Sequence, residues 1–150
     1  MRPPLLGRAN SGLTFRPDAS CVLWLPGQDD AYSATIRDRS GKGNHGAISG
    51  ASWVRLPSGL WCLYFDGVDD VVNCGKAASL DLTSAFSVEC WIKTTQGTQY
   101  PYIVEKALSA DPYTGWGVSF NSVVDNGLLS FYSSAQAAWV VGTKSIRDGK

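Results

Sequence analysis

The chain is short of glutamate, methionine, histidine and net charge, and each shortage excludes something. Two glutamates (Glu89 and Glu105), one methionine and one histidine occur in 150 residues. With sixteen glycines, seven prolines and 11% aromatics, this composition disfavours a helical bundle, which draws on strong helix formers. Thirteen basic residues balance thirteen acidic ones, so no global field draws the chain to nucleic acid or to an anionic membrane. Apolar runs extend only a few residues, far short of the ~20 that a transmembrane helix needs. Behind the basic start, Met1-Arg2-Pro3-Pro4-Leu5-Leu6-Gly7-Arg8, no apolar stretch of a signal peptide's length follows. None of the four cysteines (Cys21, Cys62, Cys74, Cys90) falls into C-x-x-C or a Cys/His metal spacing. Cys21, Cys62 and Cys90 lie in apolar runs, where cysteine acts as a small buried hydrophobe, so free thiols are expected. One disulfide is the alternative.

What is present speaks for β-structure in a single domain. Short strands bounded by turn residues are predicted over 21–25, 47–49, 52–55, 60–65, 71–74, 86–94, 102–106, 115–121, 127–132 and 137–141. Pro57-Ser58-Gly59, Asp66-Gly67, Asp125-Asn126-Gly127 and Asp148-Gly149 supply turns between them. The run Phe86-Ser87-Val88-Glu89-Cys90-Trp91-Ile92-Lys93 alternates, with Phe86, Val88, Cys90 and Ile92 on one face. Trp91, Phe86, Val88 and Phe65 are the expected core, with Trp24 and Trp61 beside them. Only 77–82 offers a short helical turn. Strands this short and this numerous imply a sandwich or barrel.

Residues 1–20 stand apart, with Arg2, Arg8 and Arg16 and no acid before Asp18. The bland reading is a poorly ordered tail. The sharper one is an extended N-terminal arm that docks on a neighbouring subunit, with Leu13-Thr14-Phe15 able to pair with a sheet edge.

Three segments, in order, resemble the laminin G-like branch of the concanavalin A-like lectin/glucanase superfamily. They are Asp38-Arg39-Ser40-Gly41-Lys42-Gly43-Asn44-His45-Gly46, then Leu63-Tyr64-Phe65-Asp66-Gly67-Val68-Asp69-Asp70-Val71-Val72, then the run 86–93. The resemblance covers residues 21–150 and implies an all-β fold, an antiparallel jelly-roll sandwich of the concanavalin A-like kind. Relatives continue past a D-G-K turn with further strands, whereas this chain ends at Asp148-Gly149-Lys150. The expectation is a sandwich incomplete at its C-terminus, its open edge completed by a second chain or a neighbouring subunit.

Catalysis has little to draw on. Glucanases of the superfamily carry two glutamates on one strand in E-x-D-x-E, which brings two carboxyl groups within ~5–5.5 Å. Glu89 and Glu105 fall on different predicted strands without a partner acid two residues away. Among Asp66, Asp69 and Asp70, paired acids in a turn are more often solvated or metal ligands. His45 has no nucleophile elbow around it and is read as a partly exposed loop histidine. The glycines at 41, 43 and 46 lack the G-K-[ST] ending and following helix of a phosphate loop. Calcium suits the same turn better, since Asp38, the Gly41 and Gly43 carbonyls and Asn44 offer clustered oxygens. Related domains hold structural calcium. The competing reading is that Asp38 and Asn44 only shape the loop through Asx-turns. A sugar would need an aromatic platform with polar neighbours, for which Tyr100, Tyr102, Asp111, Tyr113 and Trp116 are the candidates.

The expected function is therefore a non-catalytic laminin G-like binding or adhesion module for a carbohydrate or protein ligand, with no nucleic-acid or membrane partner. A place in a larger assembly, such as a phage or virus particle, suits the arm and the balanced charge. Extracellular residence is the other placement. The alternative function is a relative of the glucanases.

Overall fold

A computed structural model of the chain describes residues 17–95, 102–107, 115–121, 128–134 and 138–145. Along them run β1 (Thr35–Ile36), β2 (Gly46–Ser49), β3 (Ser52–Arg55), β4 (Trp61–Tyr64), β5 (Val71–Asn73), β6 (Tyr102–Ala107), β7 (Gly115–Asn121), β8 (Leu128–Ser133) and β9 (Ala138–Ser145). A single 3-10 turn, Ala78–Leu80, lies in the predicted place. The strands form three antiparallel sheets, ordered β1-β2-β5, β3-β4 and β6-β7-β8-β9. The fold is all-β, with the antiparallel sheets that a β-sandwich is built from. No helix among the described residues is long and apolar enough to cross a membrane.

Local chemistry accounts for the hairpin β3-β4. Gly59 takes φ 86°, a conformation open to glycine, and its N–H donates to the Leu56 carbonyl. The N–H of Leu56 donates to the Leu60 carbonyl, which fixes a register pairing Arg55 with Trp61 and Ser52 with Tyr64. In the four-stranded sheet, β7 runs through the interior and is buried from Gly115 to Ser119. Gly117 leaves room for a ring, because a Cβ there would sit 3.0 Å from Cε1 of Tyr102.

Three contacts fasten that sheet to the preceding chain. The buried Trp116 indole N–H donates to the Leu80 carbonyl at 3.2 Å. The Phe86 ring lies 5.2 Å from that of Trp116 and 5.6 Å from that of Phe131. Lys106 pairs with Asp81 at 2.8 Å. Ile36, Leu80, Trp116 and Val118 are the buried apolar residues of the described chain.

Two predicted strands are corrected by the structure. Residues 21–25 join no ladder, because their backbone groups are engaged elsewhere: the Trp24 N–H donates to Asp38 and the Trp24 carbonyl accepts from the Arg39 N–H. Residues 86–94 join none among the described residues. Alternation there specifies two faces, but a strand also needs a neighbour to receive its N–H and C=O groups. The expected core shifts accordingly. Phe86 packs as anticipated, whereas Trp91 is 97% exposed and Val88 and Phe65 are also exposed. Strand β1, two residues long, is too short to register as a period.

All four cysteines are free thiols, in line with the favoured reading. Cys90 is exposed rather than buried. Residues 1–16 of the expected arm and the terminal Asp148-Gly149-Lys150 lie outside the described residues.

The contrast between Phe86 and Trp91 is measurable. Phe86→Ala should cost about 2–4 kcal/mol, the lower part of the range for truncating a packed aromatic. Trp91→Ala should stay within about 0.5 kcal/mol in dilute solution, as for a surface position. Urea unfolding of both variants checks the pair, and a larger loss at Trp91 would contradict the packing described.

Candidate functional site

Asp38 is the most heavily solicited side chain of the described chain. It is 6% exposed, and both oxygens of its carboxylate accept two hydrogen bonds. Oδ1 takes the N–H groups of Trp24 (3.0 Å) and Ser40 (2.8 Å). Oδ2 takes the Ser40 hydroxyl (2.8 Å) and the Asn44 N–H (2.9 Å). The Asp38 N–H donates in turn to Nδ1 of the exposed His45 at 3.0 Å. Burial pushes the carboxyl pKa up, but the four donors outweigh it and hold the group below its usual range. Burial, with the Asp38 charge behind it, pushes the Cys74 thiol up, so that thiol stays protonated at neutral pH.

Asn44 extends the hub. Its buried side chain donates from Nδ2 to the Val22 carbonyl (2.8 Å) and to the Ser79 hydroxyl (3.0 Å). The segment 21–25, the loop 38–46 and the 3-10 turn are thereby joined through two polar side chains. Gly41 (φ 87°) and Gly43 (φ 77°) provide the left-handed turns that let the loop close around the carboxylate. These hydrogen bonds have the form of the Asx-turns weighed above, and they converge on Asp38 in the turn where the oxygens expected to bind calcium lie.

Among the described residues, a cluster of three carboxylates that could hold a metal ion lies on the loop from β4 to β5. Ligand atoms of Asp66, Asp69 and Asp70 all lie within 4.8 Å of one another. The loop is shaped from within, by the Val68 N–H donating to Asp66 Oδ1 (2.8 Å) and the Asp66 N–H donating to Asp70 Oδ2 (2.7 Å). Asp66 and Asp69 are exposed and Asp70 is half-buried, so an ion can enter without rearrangement of the core. Gly50, at φ 79°, seats Asp70: any Cβ there would fall on its carboxylate.

A second exposed surface combines aromatic and basic groups. Tyr32 holds a left-handed backbone (φ 68°), which is unusual outside glycine, and its side chain is 82% exposed. Its ring meets Trp61 edge-on at 5.0 Å, and the Arg55 guanidinium lies 6.0 Å from the Trp61 ring. Gln28 fixes the start of β4 by accepting the Trp61 N–H and donating to the Trp61 carbonyl, both at 2.9 Å.

Of the residues expected to meet a sugar, Tyr100, Asp111 and Tyr113 lie outside the described residues. Tyr102 is exposed above Gly117, whereas Trp116 is buried against Phe86 and Leu80. The structure therefore does not gather Tyr102 and Trp116 on one open face. Tyr32 was not singled out from sequence, because a turn tyrosine gives no local signal of exposure, and Trp61 sat in an apolar run. Glu89 and Glu105 are both exposed. No family model, no curated protein and no solved structure matches the chain.

The hub gives a stability prediction with a sign in pH. Asp38→Asn removes the charge and sets amide hydrogens against N–H donors, so it should cost about 2–4 kcal/mol at neutral pH. Because the folded pKa lies below the unfolded value of about 3.9, the carboxylate's contribution is full above that value. It is lost as pH falls through the lower folded pKa. The gap between wild type and variant in urea titrations should therefore close in acid, and a gap independent of pH would contradict the assignment.

Proposed function

We propose that the chain is a non-catalytic, laminin G-like binding module that takes a divalent cation on the Asp66–Asp69–Asp70 loop, with calcium as the ion. The observation that carries this reading is the convergence of the three carboxylates within 4.8 Å on one exposed loop. Carboxylates clustered at this spacing repel one another when ionised, and a divalent cation relieves that repulsion. Calcium tolerates irregular oxygen shells and completes its coordination with carbonyls and water, which an open loop permits. Magnesium demands a tighter octahedron and suits the loop less well.

Carbohydrate is the ligand class favoured for the module. An exposed tyrosine ring next to a tryptophan, with a guanidinium at hand, offers both an apolar face and a hydrogen-bond donor to a pyranose. The glucanase alternative would rest on Glu89 or Glu105, and turnover of β-glucans abolished by Glu105→Gln would favour it.

Calcium at tenfold its dissociation constant should stabilise the fold by about 1.4 kcal/mol, raising Tm by about 3–5 °C. EDTA should reverse the rise and Asp69→Asn should abolish it. Asp38→Asn, although less stable, should keep the calcium response. A melting curve indifferent to calcium and EDTA would overturn the cation part of the reading.

A further inference from the structure

A cavity of about 210 Å³ opens beside the four-stranded sheet, lined by Ser84, Ala85, Phe86, Phe131 and Ser133. Phe131 and Ser133 stand two residues apart on β8 and therefore share one face of the sheet. The register places Ser133 directly across from Trp116 of β7. The segment 84–86 packs on that face, where the Phe86 ring meets those of Trp116 and Phe131. Ser84 and Ala85 are exposed and mark the mouth, and Phe86 and Phe131 are half-buried. Ser133 is 4% exposed, the most buried of the five. Its hydroxyl forms no hydrogen bond among the described residues. Polar groups buried to this degree carry partners, so a hydroxyl that lines a cavity without one points to a ligand group that pairs with it.

We infer that the cavity binds a neutral phenolic ring whose hydroxyl pairs with Ser133. Size, charge and polarity select that class. The volume is below the ~300–1,000 Å³ of pockets that hold drug-sized ligands, so the cavity takes a single ring. No ionisable side chain is among the five that line it, and a charged ligand would lose hydration there without meeting a counter-charge. Phe86 and Phe131 meet edge to face at 5.6 Å, and Phe86 lies 5.2 Å from Trp116, so a further ring extends an aromatic cluster in the geometry that such rings prefer. A pyranose would set several hydroxyls against two serines and two phenyl rings, leaving most of them unpaired. A phenol brings one hydroxyl, donor and acceptor at once like that of serine, and so matches one buried partner. A free phenol and a tyrosine side chain presented by another chain share this chemistry. The cavity shares no residue with the carboxylate loop or with the Tyr32 surface, so it stands independently of both.

Titration of the isotope-labelled chain with p-cresol, followed in amide proton–nitrogen correlation spectra, tests the assignment. Saturable shifts should centre on residues 84–86 and 131–133. Ser133→Ala should weaken p-cresol about fivefold, the scale of one neutral hydrogen bond, and leave toluene binding unchanged. Because the hydroxyl has no partner in the chain itself, the same variant should melt no lower than the wild type, which separates loss of a ligand contact from loss of the fold. Ala85→Leu, which fills the mouth, should block both probes. A blocked tripeptide Gly-Tyr-Gly distinguishes the two sources: binding as tight as that of p-cresol assigns the cavity to a partner's tyrosine, and exclusion of the peptide assigns it to a free phenol. Absence of saturable shifts with p-cresol, an equal loss of both probes in Ser133→Ala, or tighter binding of methyl glucoside at the same residues would each overturn the inference.

Discussion

A buried carboxylate with four donors organises the first half of this chain. Asp38 holds Trp24, Ser40 and Asn44 at once, and Asn44 carries the connection on to Val22 and Ser79. Without it, the loop 38–46 would lose the acceptor it closes around and the segment 21–25 one of its three attachments, the others being Arg39 N–H to the Trp24 carbonyl and Asn44 Nδ2 to the Val22 carbonyl. The arrangement is costly to break because each donor would be left in a site that water does not freely enter. The 3-10 turn at the edge of this hub is also where the four-stranded sheet is anchored, through Trp116 and Lys106. One ionised side chain thus conditions both the entry segment and the seating of the later strands.

A second buried acid shows the same economy on a smaller scale. Asp30 accepts the Arg37 N–H through Oδ2 at 2.9 Å, and its Oδ1 faces the guanidinium groups of Arg37 (3.5 Å) and Arg39 (3.9 Å) without a hydrogen bond. Electrostatics rather than hydrogen bonding satisfies that oxygen. Both acids lie in turns, where backbone N–H groups are not consumed by ladders, and both gather those groups around a charge.

Strands whose sequence contains its own punctuation were legible from the amino acids. Pro57-Ser58-Gly59 marked the β3-β4 hairpin, and the strands β6 to β9 lay close to their predicted bounds. Residues 21–25 and 86–94 were misread for one shared reason: apolar alternation describes a side-chain pattern, whereas a strand is a relation between two backbones. The same limit applied to the site. Asp38 and Asn44 stood out as a polar pair in a glycine-rich turn, and the alternatives of metal ligand and Asx-turn differ only in where the lone pairs point. The acidic loop was visible as a cluster, but its convergence depends on Gly50, sixteen residues before Asp66 and on a different strand connection. Tyr32 and Trp61 are brought together by tertiary packing alone.

The contact between Gly50 and Asp70 has a mechanical meaning. Gly50 lies where the chain leaves the β1-β2-β5 sheet for the β3-β4 hairpin, and Asp70 lies where it returns. The two crossings run side by side, so they form a hinge pin between the sheets, with a carboxylate set against a bare backbone. Asp70 therefore ties the loop that carries the three carboxylates to the neighbouring crossing at Gly50.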